Sequence, residues 1–226
     1  MSSEHTTQNM AHQTASLELA SLLCSRLCHD LLSPVGALSN GLELLAEEKD
    51  PQMRQRCFEL LEQSARVSAD KLKFFRLAFG AAGGFGEAVP VAEPKALIEA
   101  LAGPSGRIAV RWTVSSQTLP KAAVKILLNL ALIAIEALVR GGTLEIVLEE
   151  RGEGQGAEIA VRASGPRIAF DPVVGRALAS QLAPGELSSR TAPAAMVAQL
   201  AASCGGGVQY ALADGMLVLG ATLPGA

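Results

Sequence analysis

The sequence predicts an α+β protein in which a long helical hairpin, paired with a second copy into a dimeric four-helix bundle, precedes an α/β sandwich. Three observations predict it. Apolar residues recur at helical spacing from about Ala15 to Phe79 with a single break. A glycine-rich stretch, Gly80-Ala-Ala-Gly-Gly-Phe-Gly86, then carries no periodicity, and beyond residue 91 strand-like alternation and helical periodicity take turns. These features divide the chain into a flexible polar tail over 1–14, a hairpin over 15–79, a linker over 80–90 and a mixed domain over 91–226.

Within the hairpin, leucines at helical spacing run to about Glu48, and Asp50 with Pro51 supplies an N-cap and a first-turn proline for the second helix. A seam through Cys24, Leu27, Leu31, Pro34, Leu38 and Leu45 faces a stripe of Met53, Cys57, Leu61, Val67, Leu72 and Phe75. Two helices alone cannot bury both surfaces, so a homodimer around a twofold axis is expected.

In the mixed domain Pro94 opens a short helix, and Ile108, Val110, Trp112 and Val114 alternate as a strand. Pro120 opens a strongly apolar helix ending at Gly141-Gly142. Leu144, Ile146 and Leu148 mark the next strand, Ala157 to Ala163 another, and two alanine-rich helices follow. Asp214-Gly215 joins the last two strands as a hairpin. Helices then cover one face of a mixed sheet.

Composition narrows the function. With 226 residues, 49% of them hydrophobic, the chain is long enough for substantial cores. A net charge of −3 and the lack of a basic patch with interleaved aromatics argue against nucleic acid. The apolar run from Ile126 to Ile135 is broken by Asn129 and falls well short of the roughly 20 residues that cross a bilayer. Together with the polar N-terminus, this points to a cytoplasmic protein without a membrane contact. Cys24, Cys28, Cys57 and Cys204 form no paired framework and read as small core residues. Cys28 and His29 project about 100° apart on a helix, so Cys24, Cys28 and His29 do not converge on a metal.

His29 falls opposite the apolar seam and therefore points to solvent. Ser33, Gly36, Asn40 and Glu43 continue its stripe at spacings of four and three, a small and polar surface that lets a partner protein come close. A neutral imidazole is nucleophilic near pH 7, and Asp30 beside it is placed to accept the other ring N–H. Ser33 either contacts a transferring phosphoryl group or bonds back to its own helix. Pro34 removes a backbone donor and is expected to kink the helix. Arg26 either steers an anionic partner or is simply solvated.

The run His29-Asp30-Leu31-Leu32-Ser33-Pro34-Val35 resembles the H-box of two-component sensor kinases. The wider stretch from Arg26 to Leu45 resembles the ChpT family of bacterial histidine phosphotransferases, and the resemblance extends from about Ala15 onward. It also implies that the mixed domain is a degenerate kinase ATP-binding domain. Asn129-Leu-Ala-Leu-Ile133-Ala-Ile135 keeps the first asparagine of the N-box but has Ile133 where the magnesium-holding asparagine belongs. Ala163-Ser-Gly-Pro-Arg-Ile168 stands at the first glycine box, with Ala163 replacing the adenine-reading Asp and Arg167 replacing a Gly. Arg190-Thr-Ala-Pro-Ala-Ala195 stands at the phosphate loop, where Pro193 removes a donor and no Gly-x-Gly nest exists.

The family then implies a histidine that takes phosphate from the receiver domain of a hybrid kinase and gives it to response-regulator aspartates. No cofactor is expected on this chain, ATP included, and Mg²⁺ belongs to the partner receiver. An atypical ATP-dependent histidine kinase would need an aspartate near Ala163 and a glycine loop near Pro193, both missing. A non-catalytic receiver-docking scaffold would not need the intact stretch around His29.

Overall fold

The computed structural model of the chain describes residues 2–80, 88–103, 106–150 and 156–224. Two long helices, α1 (Ser2–Glu47) and α2 (Pro51–Phe79), form the hairpin. Helix α1 begins at Ser2, so the backbone before Ala15 is helical where a flexible tail is expected. That stretch contains neither glycine nor proline, and nothing in it stops a helix propagating back from the packed region. Its 46 residues reach about 69 Å.

The tight turn between the helices is built from side chains. Asp50 accepts hydrogen bonds from the amides of Gln52 and Met53, with Pro51 in the first turn of α2. Arg54 reaches back to the carbonyls of Leu45 and Glu48, both at 2.8 Å, and so satisfies acceptors that the end of α1 leaves open. Further along, a Cβ at Gly41 would lie 2.9 Å from Leu61 Cδ2, and glycine there lets the two helices approach closely.

The second part holds β1 (Ala88–Pro90), α3 (Ala92–Ala102), β2 (Ile108–Val114), β3 (Thr118–Pro120), α4 (Lys121–Ala137), β4 (Gly142–Glu150), β5 (Ala157–Ser164), α5 (Pro172–Leu178), α6 (Ala192–Ser203), β6 (Gly207–Ala213) and β7 (Met216–Leu223). Strand β1 lies inside the expected linker and pairs with β3, while residues 81–87 of that linker lie outside the described residues. The main sheet has the order β2-β4-β5-β7-β6, with only β2 and β4 parallel. Its inner face carries Leu144, Ile146, Leu148, Ile159, Val161, Leu217 and Leu219, all buried under the helices. Its outer face is polar in part, as where Arg162 of β5 meets Glu145 of β4 at 2.8 Å.

Helix α4 is apolar nearly all round because it lies between the sheet and the hairpin. Phe74, Phe75, Leu77 and Ala78 at the end of α2 enter the same core as α4 and the sheet. Burial of each phenylalanine contributes about 2–3 kcal/mol, so the hairpin and the sandwich are stabilised through one continuous interior. A second contact sets Leu19 and Leu23 of α1 against Ala192 and Ala195 at the start of α6.

Cys57 alone of the four cysteines is buried; Cys24, Cys28 and Cys204 are exposed, contrary to the expectation that all are core residues. Cys24 and Cys28 lie one turn apart on the part of α1 that α2 leaves uncovered, and Cys204 follows the last turn of α6. None of the helices over the described residues is long and apolar enough to cross a membrane.

Candidate functional site: the His29 turn

His29 sits on the solvent side of α1 with its side chain 81% exposed. Its Nδ1 faces Asp30 Oδ1 at 3.1 Å, an arrangement that assigns the ring proton to Nδ1 and leaves the lone pair on Nε2. Asp30 itself is mostly buried, at 16% exposure. Its other oxygen accepts Arg26 Nε–H at 2.9 Å.

Arg26 corrects the sequence reading. It is 9% exposed and neither solvated nor free to steer a partner. Its guanidinium lies between Asp30 one turn on and Glu136 near the end of α4, to which it also forms an ion pair. Helix α4 packs against α2 of the hairpin, and Glu136 near its end supplies the second carboxylate for the arginine.

Pro34 is buried, and α1 continues through it as a single helix. Proline has no N–H, so the carbonyl one turn earlier, that of Asp30, loses its intrahelical donor. Lys71 of α2 supplies the replacement, with Nζ donating to Asp30 O at 2.9 Å. Sequence reasoning misses Lys71, although the proline announces that some donor must reach that carbonyl. It misses Glu136 as well, for which no local pattern exists.

Downstream, Ser33, Asn40 and Glu43 are exposed and Gly36 is half-buried. A Cβ added at Gly36 would meet nothing within 4 Å, so the surface there is open. The structure thus brings His29, Asp30 and Arg26 together and leaves the small polar stripe beside them uncovered.

Three of the residues at the positions expected to correspond to a nucleotide site lie in the core. Ala163 is fully buried on β5, and Ile133 on α4 is 7% exposed within the core. Asn129 is also fully buried; its Nδ2 donates to Ala78 O at 3.3 Å and Lys125 O at 2.8 Å, while its Oδ1 has no partner. This asparagine therefore ties α4 to the last turn of α2.

Pro193 is buried in the first turn of α6, and the loop before that helix is held by ion pairs. Arg176 clasps Glu186 with two guanidinium nitrogens, and Arg190 meets Asp171 at 3.1 Å. The Arg176 hydrogen bonds hold the Glu186 carboxyl below its ordinary range, with the Ala183 amide adding to the effect against a smaller opposing effect of burial. The Glu186 contact in turn raises Arg176 above its usual value. Thr191 closes the loop by donating to Glu186 O at 3.0 Å and accepting the Ser188 amide at 2.9 Å.

The class of protein is established by comparison. Residues 91–215 match the histidine phosphotransferase C-terminal domain. The chain belongs to the ChpT family of histidine phosphotransferases. Protein phosphotransferase ChpT of Brucella abortus (strain 2308) is 40% identical over 135 residues, which are 60% of this chain and 63% of that protein; the match spans less than two thirds of the relative's length. A bacterial phosphotransferase structure solved at 1.7 Å superposes with a TM-score of 0.78 at 31% identity, covering 91% of this chain and 96% of that one. The mycobacterial sensor histidine kinase MprB gives a TM-score of 0.47 at 19% identity, over 62% of this chain and 98% of that one.

Proposed function

We propose that this chain relays phosphoryl groups through His29, taking them from the receiver domain of a hybrid histidine kinase and passing them to the receiver aspartates of response regulators in the cytoplasm. The observation that carries the reading is the exposed His29 ring with its Nδ1 turned to Asp30 and its Nε2 free. The Nε2 lone pair attacks the phosphorus of a receiver acyl phosphate. As the N–P bond forms, the P–O bond to the aspartate breaks and its electron pair leaves with the carboxylate. The ring keeps its Nδ1 proton and becomes cationic, and the Asp30 carboxylate stabilises that charge. Onward transfer is the reverse step to another aspartate. Mg²⁺ belongs to the receiver, and this chain contributes only the nucleophile and its orientation.

Ser33, Gly36, Asn40 and Glu43 form the surface on which a receiver seats, with Ser33 nearest the transferring group. A homodimer is supported by the distribution of exposed apolar side chains. Leu17, Leu42 and Leu44 of α1 and Phe58, Leu60 and Leu72 of α2 all lie on the hairpin, where a second copy would cover such surfaces in a four-helix bundle.

The same reading excludes ATP as phosphodonor. Ala163 offers no acceptor for an adenine amino group, Ile133 cannot ligate magnesium, and Pro193 replaces part of a phosphate nest. The loop before α6 is instead held by the Arg176–Glu186 and Arg190–Asp171 ion pairs.

Incubation with a receiver carrying labelled acyl phosphate tests the relay: the wild-type protein acquires acid-labile label and His29→Ala acquires none. Label on the alanine variant would move the phosphoacceptor elsewhere. Isothermal titration with ATP and magnesium should show no saturable binding up to about 1 mM, the weak end of useful affinity. Binding accompanied by labelling of His29 would instead establish an ATP-dependent kinase.

A further inference from the structure

We propose that Glu136, on α4 of the sandwich, is a positioning residue for phosphoryl acceptance at His29 and acts through Arg26 and Asp30. This proposal rests on His29 being the phosphoacceptor. The contacts run without a break from one part of the fold to the other. Glu136 Oε1 meets a terminal nitrogen of Arg26, Arg26 Nε–H donates to Asp30 Oδ2 at 2.9 Å, and Asp30 Oδ1 receives His29 Nδ1–H at 3.1 Å.

Two physical effects give Glu136 its role. The first is orientation. A guanidinium is a rigid planar fork, so fixing one of its ends at Glu136 aims the Nε–H at Asp30 and thereby sets the carboxylate that holds the imidazole. The second is charge. Arg26 paired with Asp30 alone sums to zero, and the guanidinium would compete with the imidazolium for the carboxylate. With Glu136 included the group carries −1, so negative charge remains for the ring as it turns cationic. Lys71 adds a positive charge from α2 at the Asp30 carbonyl, 2.9 Å away, which makes the second carboxylate more useful still. The sandwich thereby serves the chemistry at His29 without handling a nucleotide.

The test compares two phosphodonors, a phosphorylated receiver and phosphoramidate, which is too small to need a docking surface. Glu136→Gln keeps the size of the side chain and removes its charge. It should accept phosphate about fivefold more slowly from both donors, with an unchanged thermal midpoint. Nitrogen NMR of the His29 ring should show a smaller population of the Nδ1–H tautomer, and Glu136→Asp should recover most of the rate. A Glu136→Gln variant slowed only with the receiver, its ring signals unchanged, would make Glu136 a docking residue and overturn the proposal. So would wild-type rates with both donors. A wild-type protein labelled by neither donor would overturn the phosphoacceptor reading and this proposal with it.

Discussion

The His29 turn and the loop before α6 are both organised by arginine–carboxylate pairs, yet they use them in opposite ways. In the loop, Arg176 with Glu186 and Arg190 with Asp171 join groups only a short way apart in sequence and fold the segment onto itself. Around Arg26 the pairs lead outward, from Glu136 in the sandwich to a ring that is 81% exposed. The difference lies in what each network ends on. A network that closes within one segment fixes a shape, whereas one that ends on an exposed imidazole orients a ring.

The strongest way to break this comparison is to neutralise Asp30. Asp30→Asn keeps an oxygen to receive His29 Nδ1–H but removes the charge that balances the developing imidazolium. Phosphate acceptance should fall by about tenfold or more, while circular dichroism shows the fold intact. Equal rates for the variant and the wild type would show that the 3.1 Å contact orients nothing that matters to the reaction.

A smaller effect is expected at Lys71, which tests whether the second helix supports the turn. Lys71→Met removes the donor to a carbonyl that Pro34 has already left without one. Stability should drop by about 1 kcal/mol in chemical denaturation. Phosphate acceptance should slow by about two- to threefold, the response to a slight displacement of the backbone that carries Asp30. A denaturation midpoint equal to that of the wild type would mean that water serves the carbonyl equally well.

The sequence makes the local parts of this arrangement legible and hides the distant ones. The exposure of His29 follows from its place opposite the leucine seam, the acid beside it is a direct neighbour, and the cap at Asp50 with Pro51 is a local signal. Two strands of the main sheet also announce themselves by alternation, β2 at Ile108, Val110, Trp112 and Val114 and β4 at Leu144, Ile146 and Leu148. The pairing of Arg26 could not be read in the same manner, because its second partner, Glu136, lies on α4, far from it in sequence. Arg26 at helical spacing from His29 looks like any solvated arginine until the sandwich is placed against it. Asn129 shows a related limit. Its match to a kinase motif suggests a nucleotide-site remnant, while its hydrogen bond to Ala78 O serves the joint between α4 and the hairpin. The helix before Ala15 was hidden for a third reason, since polar residues without periodicity are compatible with helix once a packed segment nucleates it.

The loop before α6 should respond to pH where the His29 turn does not. Glu186 is held below the ordinary carboxylate range, chiefly by Arg176 and then by the Ala183 amide, which donates to its Oε2 at 3.0 Å. A carboxyl whose folded value is depressed stabilises the folded loop fully at pH above its unfolded value, about 4.3 for a free glutamate. That contribution is lost as pH falls through the depressed folded value. Acidification should therefore loosen the loop before α6 first, and hydrogen exchange at the Ala183 amide, corrected for its intrinsic rate, should report the opening. Glu186→Gln keeps an oxygen for the amide but no charge for Arg176, so its opening should vary much less over the same pH range. Transfer through His29 should not follow this titration, because none of the contacts that orient the ring passes through Glu186. Parallel loss of Ala183 protection and of His29 phosphate acceptance, in the wild type but not in Glu186→Gln, would mean that the two networks are coupled and that the separation drawn between them is wrong.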